Sequence, residues 1–174
     1  MRTKAEAPGI KRGLLLHESA AKRIDCLRQA TEAGSDSDVI RNALIYYAQL
    51  VDDVREGYRM IIRSEGHQDT AVPIVSRDEL RAAGGSLVKR NLVLHERSAR
   101  RLDALKEATQ ATSDSEVVRD ALMVYALLVE SAQAGKRLIL SKGTGEEREL
   151  LMPVSAPENI SRRPLNILNH FVFG

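Results

Sequence analysis

KRNLVLHERSARRLDALKEATQATSDSEVVRDALMVYALL, residues Lys89–Leu128, is the stretch whose reading decides the fold, and the chain carries it twice. The first copy is KRGLLLHESAAKRIDCLRQATEAGSDSDVIRNALIYYAQL, Lys11–Leu50. An offset of 78 residues superimposes the two without a gap, with 27 identities over the 53 positions of Lys11–Arg63 and Lys89–Ser141. Self-similarity on this scale makes the chain two copies of one unit plus short additions.

Each copy opens on an apolar segment, Leu14-Leu15-Leu16 or Leu92-Val93-Leu94, preceded by Lys-Arg and followed by His-Glu. The period then changes. Ala99, Leu102, Leu105 and Ala108 recur at steps of three, as do Ala21, Ile24, Leu27 and Ala30. That spacing predicts an amphipathic helix. A break follows at Ala33-Gly34-Ser35 and at Ala111-Thr112-Ser113. Ser113-Asp-Ser-Glu116 reads as a capping box that starts a second helix, and Ser35-Asp-Ser-Asp38 is the same device with a shorter acid. Gly57 and Gly135 stand where a left-handed residue would close those helices.

The unit is therefore a strand, a helix, a turn and a helix. At about 45 residues it is too small to bury an adequate core alone. A lone strand also leaves its backbone groups unpaired. Pairing the two strands antiparallel and interlocking the helices answers both problems, and one chain supplies both partners at high effective concentration.

The strand Lys89–Leu94, the pattern Leu102-Asp103-x-Leu105 and the run Ser113-x-Ser-Glu-Val-Val-Arg-x-Ala-Leu122 together resemble the ribbon-helix-helix superfamily of DNA-binding proteins. Lys11–Leu16, Ile24-Asp25-x-Leu27 and Ser35-x-Ser-Asp-Val-Ile-Arg-x-Ala-Leu44 carry the same resemblance in the first copy, so it covers about 80–90 residues. The single-chain arrangement is similar to tandem proteins of conjugative relaxosomes and T-DNA processing complexes. The resemblance implies a mainly α fold with short β. In it, two ribbon-helix-helix units in one chain form a pseudo-symmetric intramolecular dimer; the residues after each unit read, on their own pattern, as a β-hairpin.

On that basis residues 1–10 are a flexible basic arm with Arg2 and Lys4, 11–57 the first unit, 58–75 a first hairpin and 76–87 a linker with Gly84-Gly85. The second unit is 88–135, its hairpin 136–155 and the C-terminal tail 156–174. The hairpins rest on two β-rich runs around a polar, Gly-containing loop. The tail holds both phenylalanines, Phe171 and Phe173, and either packs on the body or docks into a protein partner.

Composition bounds the function classes. Lys and Arg number 26 against 24 Asp and Glu, a formal charge of +2, so the basic clusters matter more than the total. No run of 18 apolar residues or signal-like segment is present, which predicts a cytoplasmic protein without a membrane partner. The lone Cys26 has Ala104 as its counterpart and forms no internal disulfide. HExxH, CxxC and nucleophile-elbow motifs are absent, and Lys142-Gly-Thr-Gly145 lacks phosphate-loop spacing. We therefore expect no enzyme, cofactor or metal. His17 and His95, at the strand-to-helix junctions, read as capping or hydrogen-bonding residues.

The expected partner is double-stranded DNA. An antiparallel ribbon fits the major groove, and alternate residues point to base edges. Leu14, Leu16, Leu92 and Leu94 are identical between copies, as inward positions would be. The base-contact candidates are then Lys11, Gly13 and Leu15 in one copy and Lys89, Asn91 and Val93 in the other. Because these faces differ, an asymmetric DNA site is expected. Phosphate-contact candidates are Arg12, Arg90, Ser35, Ser37, Ser113 and Ser115, the serines through the helix N-terminus. Asp36 and Asp114 favour the helix dipole but oppose a phosphate there. The reading is a transcriptional regulator. A relaxosome or plasmid DNA-processing accessory protein is one alternative. An antitoxin-like or scaffold protein-interaction module is the other, because Gly, Leu and Val occupy part of the ribbon face. Higher-order self-association along DNA is left open.

Overall fold

The computed structural model describes residues 9–74 and 86–154. Both apolar segments are strands: β1 runs Ile10–His17 and β4 Leu87–Leu94. They pair antiparallel along their full length, from Ile10 opposite Leu94 to His17 opposite Leu87. Alternation assigns their sides. Leu14, Leu16, Leu92 and Leu94 face inward and are at most 2% exposed.

Two helix pairs stand behind the ribbon. In α1 (Glu18–Ala30) and α3 (Glu96–Thr109), the stripes at steps of three put Ala21, Ile24 and Leu27, or Ala99, Leu102 and Leu105, into the core. Each ends in a left-handed residue that is not glycine, Glu32 (φ 52°) or Gln110 (φ 54°). The turn therefore comes before Gly34 rather than at it.

The longer helices α2 (Asp36–Arg55) and α4 (Asp114–Gln133) start where the serine caps predict. Ser35 Oγ accepts from the Asp38 N–H, and Ser113 Oγ from the Glu116 N–H. The Glu116 carboxylate returns to the Thr112 N–H and hydroxyl, closing the box one residue earlier than the usual pattern. Gly57 (φ 93°) and Gly135 (φ 71°) follow the helix ends in the conformation that favours glycine. α2 and α4 pack together, with the Tyr46 ring stacked on Tyr125 at 5.5 Å between centroids.

The expected architecture is corrected by the remaining strands. The runs after α2 and α4 each fold back antiparallel on themselves, but the two are joined rather than separate. β2 (Tyr58–Arg63), β3 (Thr70–Val72), β5 (Arg137–Lys142) and β6 (Glu147–Glu149) make one four-stranded antiparallel sheet in the order β3-β2-β5-β6. An isolated two-stranded hairpin is marginal in water, and pairing β2 with β5 gives each a second neighbour. The described residues thus hold four helices and six strands in two antiparallel sheets, about half helical and a quarter strand. This is a mixed α/β molecule, not a mainly α one assembled from two ribbon-helix-helix units. β1–β4, β2–β5 and α2–α4 all join the halves, and the buried residues form one cluster drawn from both. The second hairpin arms also differ from expectation. Leu150, Met152 and Val154 lie beyond β6 as chain packed against the core.

Met60, Ile62, Leu138 and Leu140 turn one face of this sheet to the core, while Ile61 and Ile139 stand opposite each other on the other face. Arg63 binds Asp69 and Glu147 there, and Arg137 binds Glu149. The flexible arm, the linker and the C-terminal tail fall almost wholly on residues 1–8, 75–85 and 155–174, outside the described residues.

Candidate functional site

The outer face of the β1–β4 ribbon gathers all six base-contact candidates. Cross-strand register sets Lys11 opposite Val93, Gly13 opposite Asn91 and Leu15 opposite Lys89. All six are exposed, because the core takes the alternate positions. Each end of the face thus carries one lysine and one branched apolar side chain, with Gly13 and Asn91 between them. Leu15 is 57% exposed and Val93 54%. Leu87, assigned to the linker from sequence, extends the same face and is 58% exposed. Its signal was available: it continues the alternation of Lys89, Asn91 and Val93.

The flanks of the ribbon are closed by internal contacts. Arg12 Nη1 donates to Asp114 at 3.1 Å, and Nη2 donates to Asp103 at 3.1 Å. Arg90 Nη1 donates to Asp36, also at 3.1 Å. Each first-turn aspartate holds a second cation from the helix before it, Lys106 on Asp114 and Arg28 on Asp36. The strand arginine of one repeat is thereby tied to the helix start of the other. Asp36 and Asp114 do more than favour the helix dipole. They neutralise the two arginines considered for phosphate.

The serines are similarly placed. Ser35 and Ser113 cap α2 and α4, and Ser35 also donates to the Asp38 carboxylate. Ser115 Oγ accepts the Leu15 backbone N–H at 3.0 Å, satisfying one donor on the outer edge of the ribbon. Ser37 lies half-buried in the first turn of α2. A hydroxyl that accepts an N–H keeps its own proton, so Ser113 and Ser115 retain a donor for a phosphate oxygen. A shallow hollow beside β1 brings Ser113 and Ser115 together with His17 and Arg119.

His17 and His95 occupy the cap positions of α1 and α3, but neither side chain makes a capping hydrogen bond. Backbone groups serve these helix starts: His95 O accepts from the Ser98 and Ala99 N–H groups, and the Glu18 N–H donates to Ser86 O. Among the described residues, no cluster of three or more His, Cys, Asp or Glu could hold a metal ion, and no helix is long and apolar enough to cross a membrane.

Sequence reasoning missed the Arg–Asp clamps. Their partners are separated by 102 residues (Arg12 and Asp114) and 54 (Arg90 and Asp36), and no local pattern announces such pairs. No protein-family model, curated protein or solved structure matches this chain.

Proposed function

We propose that the β1–β4 ribbon binds double-stranded DNA in the major groove, and that the protein is a transcriptional regulator. The observation that carries this reading is the outer face itself. Lys11, Asn91 and Lys89 stand exposed on a two-stranded antiparallel ribbon whose alternate residues are committed to the core. The major groove is wide enough for such a ribbon. Lysine donates to guanine O6 or N7, and an asparagine amide matches adenine N6 and N7. Leu15 and Val93 suit thymine methyl groups. Backbone phosphates would meet Ser113, Ser115 and the helix starts, where Arg12 and Arg90 offset the acids of α4 and α2. The resemblance of each sequence copy to ribbon-helix-helix DNA-binding proteins supports the same partner. A role in plasmid DNA processing would use the same contacts at a different site.

The test is binding to random duplex DNA across a salt series, with Lys11→Ala/Lys89→Ala alongside wild type. Wild-type affinity is expected to fall steeply between about 50 and about 200 mM salt, as counterions are released. The double variant should bind more weakly at every salt concentration. Absence of binding at the lowest salt overturns the reading.

One observation favours a second reading. Of seven exposed large apolar residues among those described, three (Leu15, Leu87 and Val93) lie on the outer face of the ribbon. An apolar protein partner would use that surface, and its binding would change little with salt.

A further inference from the structure

We infer that Gly13 and Asn91 make the centre of the recognised DNA site asymmetric while its flanks stay symmetric. The inference rests on the proposed ribbon–DNA reading and concerns what that ribbon selects. Residues equivalent under the 78-residue offset face each other in the ribbon only at Gly13 and Asn91. The two-fold relation between the strands therefore passes through that pair. It exchanges Lys11–Val93 with Lys89–Leu15, a change only from one branched apolar side chain to another. At the axis it exchanges an amide for no side chain at all.

Neither packing nor backbone geometry requires glycine there. A Cβ built on Gly13 meets nothing within 4 Å, and Gly13 is not among the residues with positive φ. The glycine leaves open space on one side of the axis and a single Asn91 amide on the other. Asn91 projects from the exposed face, where it can present its donor and acceptor together to adenine N6 and N7. With one such amide across the axis, one half of the central sequence is read and the other is not. Lys11 and Lys89 read equivalent flanking positions in both halves.

The experiment is selection of duplexes from a random pool by wild type, Gly13→Asn and Asn91→Gly. Titration of the wild-type site and a version with only its centre inverted follows. Circular dichroism confirms that each variant is folded. Wild type should select symmetric flanks around an asymmetric centre. Replacing the central adenine in one half should weaken binding about tenfold, and the matching change in the other half should leave affinity unchanged. Gly13→Asn should select a symmetric centre, and Asn91→Gly should lose central preference while retaining the flanks. A symmetric wild-type centre, or central preference surviving in Asn91→Gly, overturns the inference and leaves the DNA reading standing. Failure of wild type to retain any duplex overturns both.

Discussion

The two sheets end their outer faces in opposite ways. On the four-stranded sheet, the central Ile139 is only 2% exposed, and Arg63, Arg137, Asp69, Glu147 and Glu149 pair with one another. On the ribbon, the corresponding outward residues Leu15 and Val93 are more than half exposed. One face pairs its charges among its own side chains. The other closes its flanks, through Arg12 and Arg90, and leaves the middle open. The same repeat thus makes one surface that is self-sufficient and one that is not. Apolar side chains left in water contribute no burial energy, and it is this open face that the proposed function places against a partner.

The largest expected effect separates the two sides of the ribbon itself. Leu16→Ala should lower unfolding free energy by about 2–5 kcal/mol, because Leu16 is 1% exposed and its loss leaves a cavity. Leu15→Ala, one residue away, should change stability by no more than about 0.5 kcal/mol while weakening DNA binding. Denaturant unfolding of both variants checks the first statement, and duplex titration checks the second. Equal destabilisation would break the contrast between the inner and outer faces.

A smaller effect tests the flanks. Arg12→Ala should destabilise the fold by about 0.5–1 kcal/mol, since its two aspartate partners are partly solvated. Lys11→Ala should cost less than this, and added salt should narrow the gap. Thermal melts at low and high salt read the comparison.

The smallest effect concerns acid. Bonds from Arg63 hold the Asp69 and Glu147 carboxyls below their usual range, and bonds from Arg137 do the same for Glu149. Carboxyls depressed in the folded state stabilise it above their unfolded pKa, near 4, and lose that contribution as pH falls through the folded value. Arg63→Gln should therefore unfold more readily than wild type at neutral pH and converge with it in strong acid. A gap that stays constant from pH 7 to pH 2.5 would show that Arg63 acts through packing alone.

Much of the local structure was legible in the residues. Strands at Leu14–Leu16 and Leu92–Leu94, serine caps at Ser35 and Ser113, and glycines after the long helices all follow from patterns spanning a few positions. The period of two also separated the six exposed ribbon residues from the four buried leucines. The candidate surface could thus be named from sequence, although Leu87 was cut off from it by placing the linker one residue too far.

What sequence could not convey was which distant elements meet. The merging of four short strands into one sheet depends on α2 and α4 delivering β2 and β5 side by side, and that positioning is set by the shared core. The clamps from Arg12 to Asp114 and from Arg90 to Asp36 exist only because each strand lies against the helix start of the other repeat. Backbone periodicity and capping act over a few residues, so the chain alone determined its elements and their inward faces. Charge pairing and strand pairing act through space, so only the tertiary structure decided which arginines are held and which face stays open.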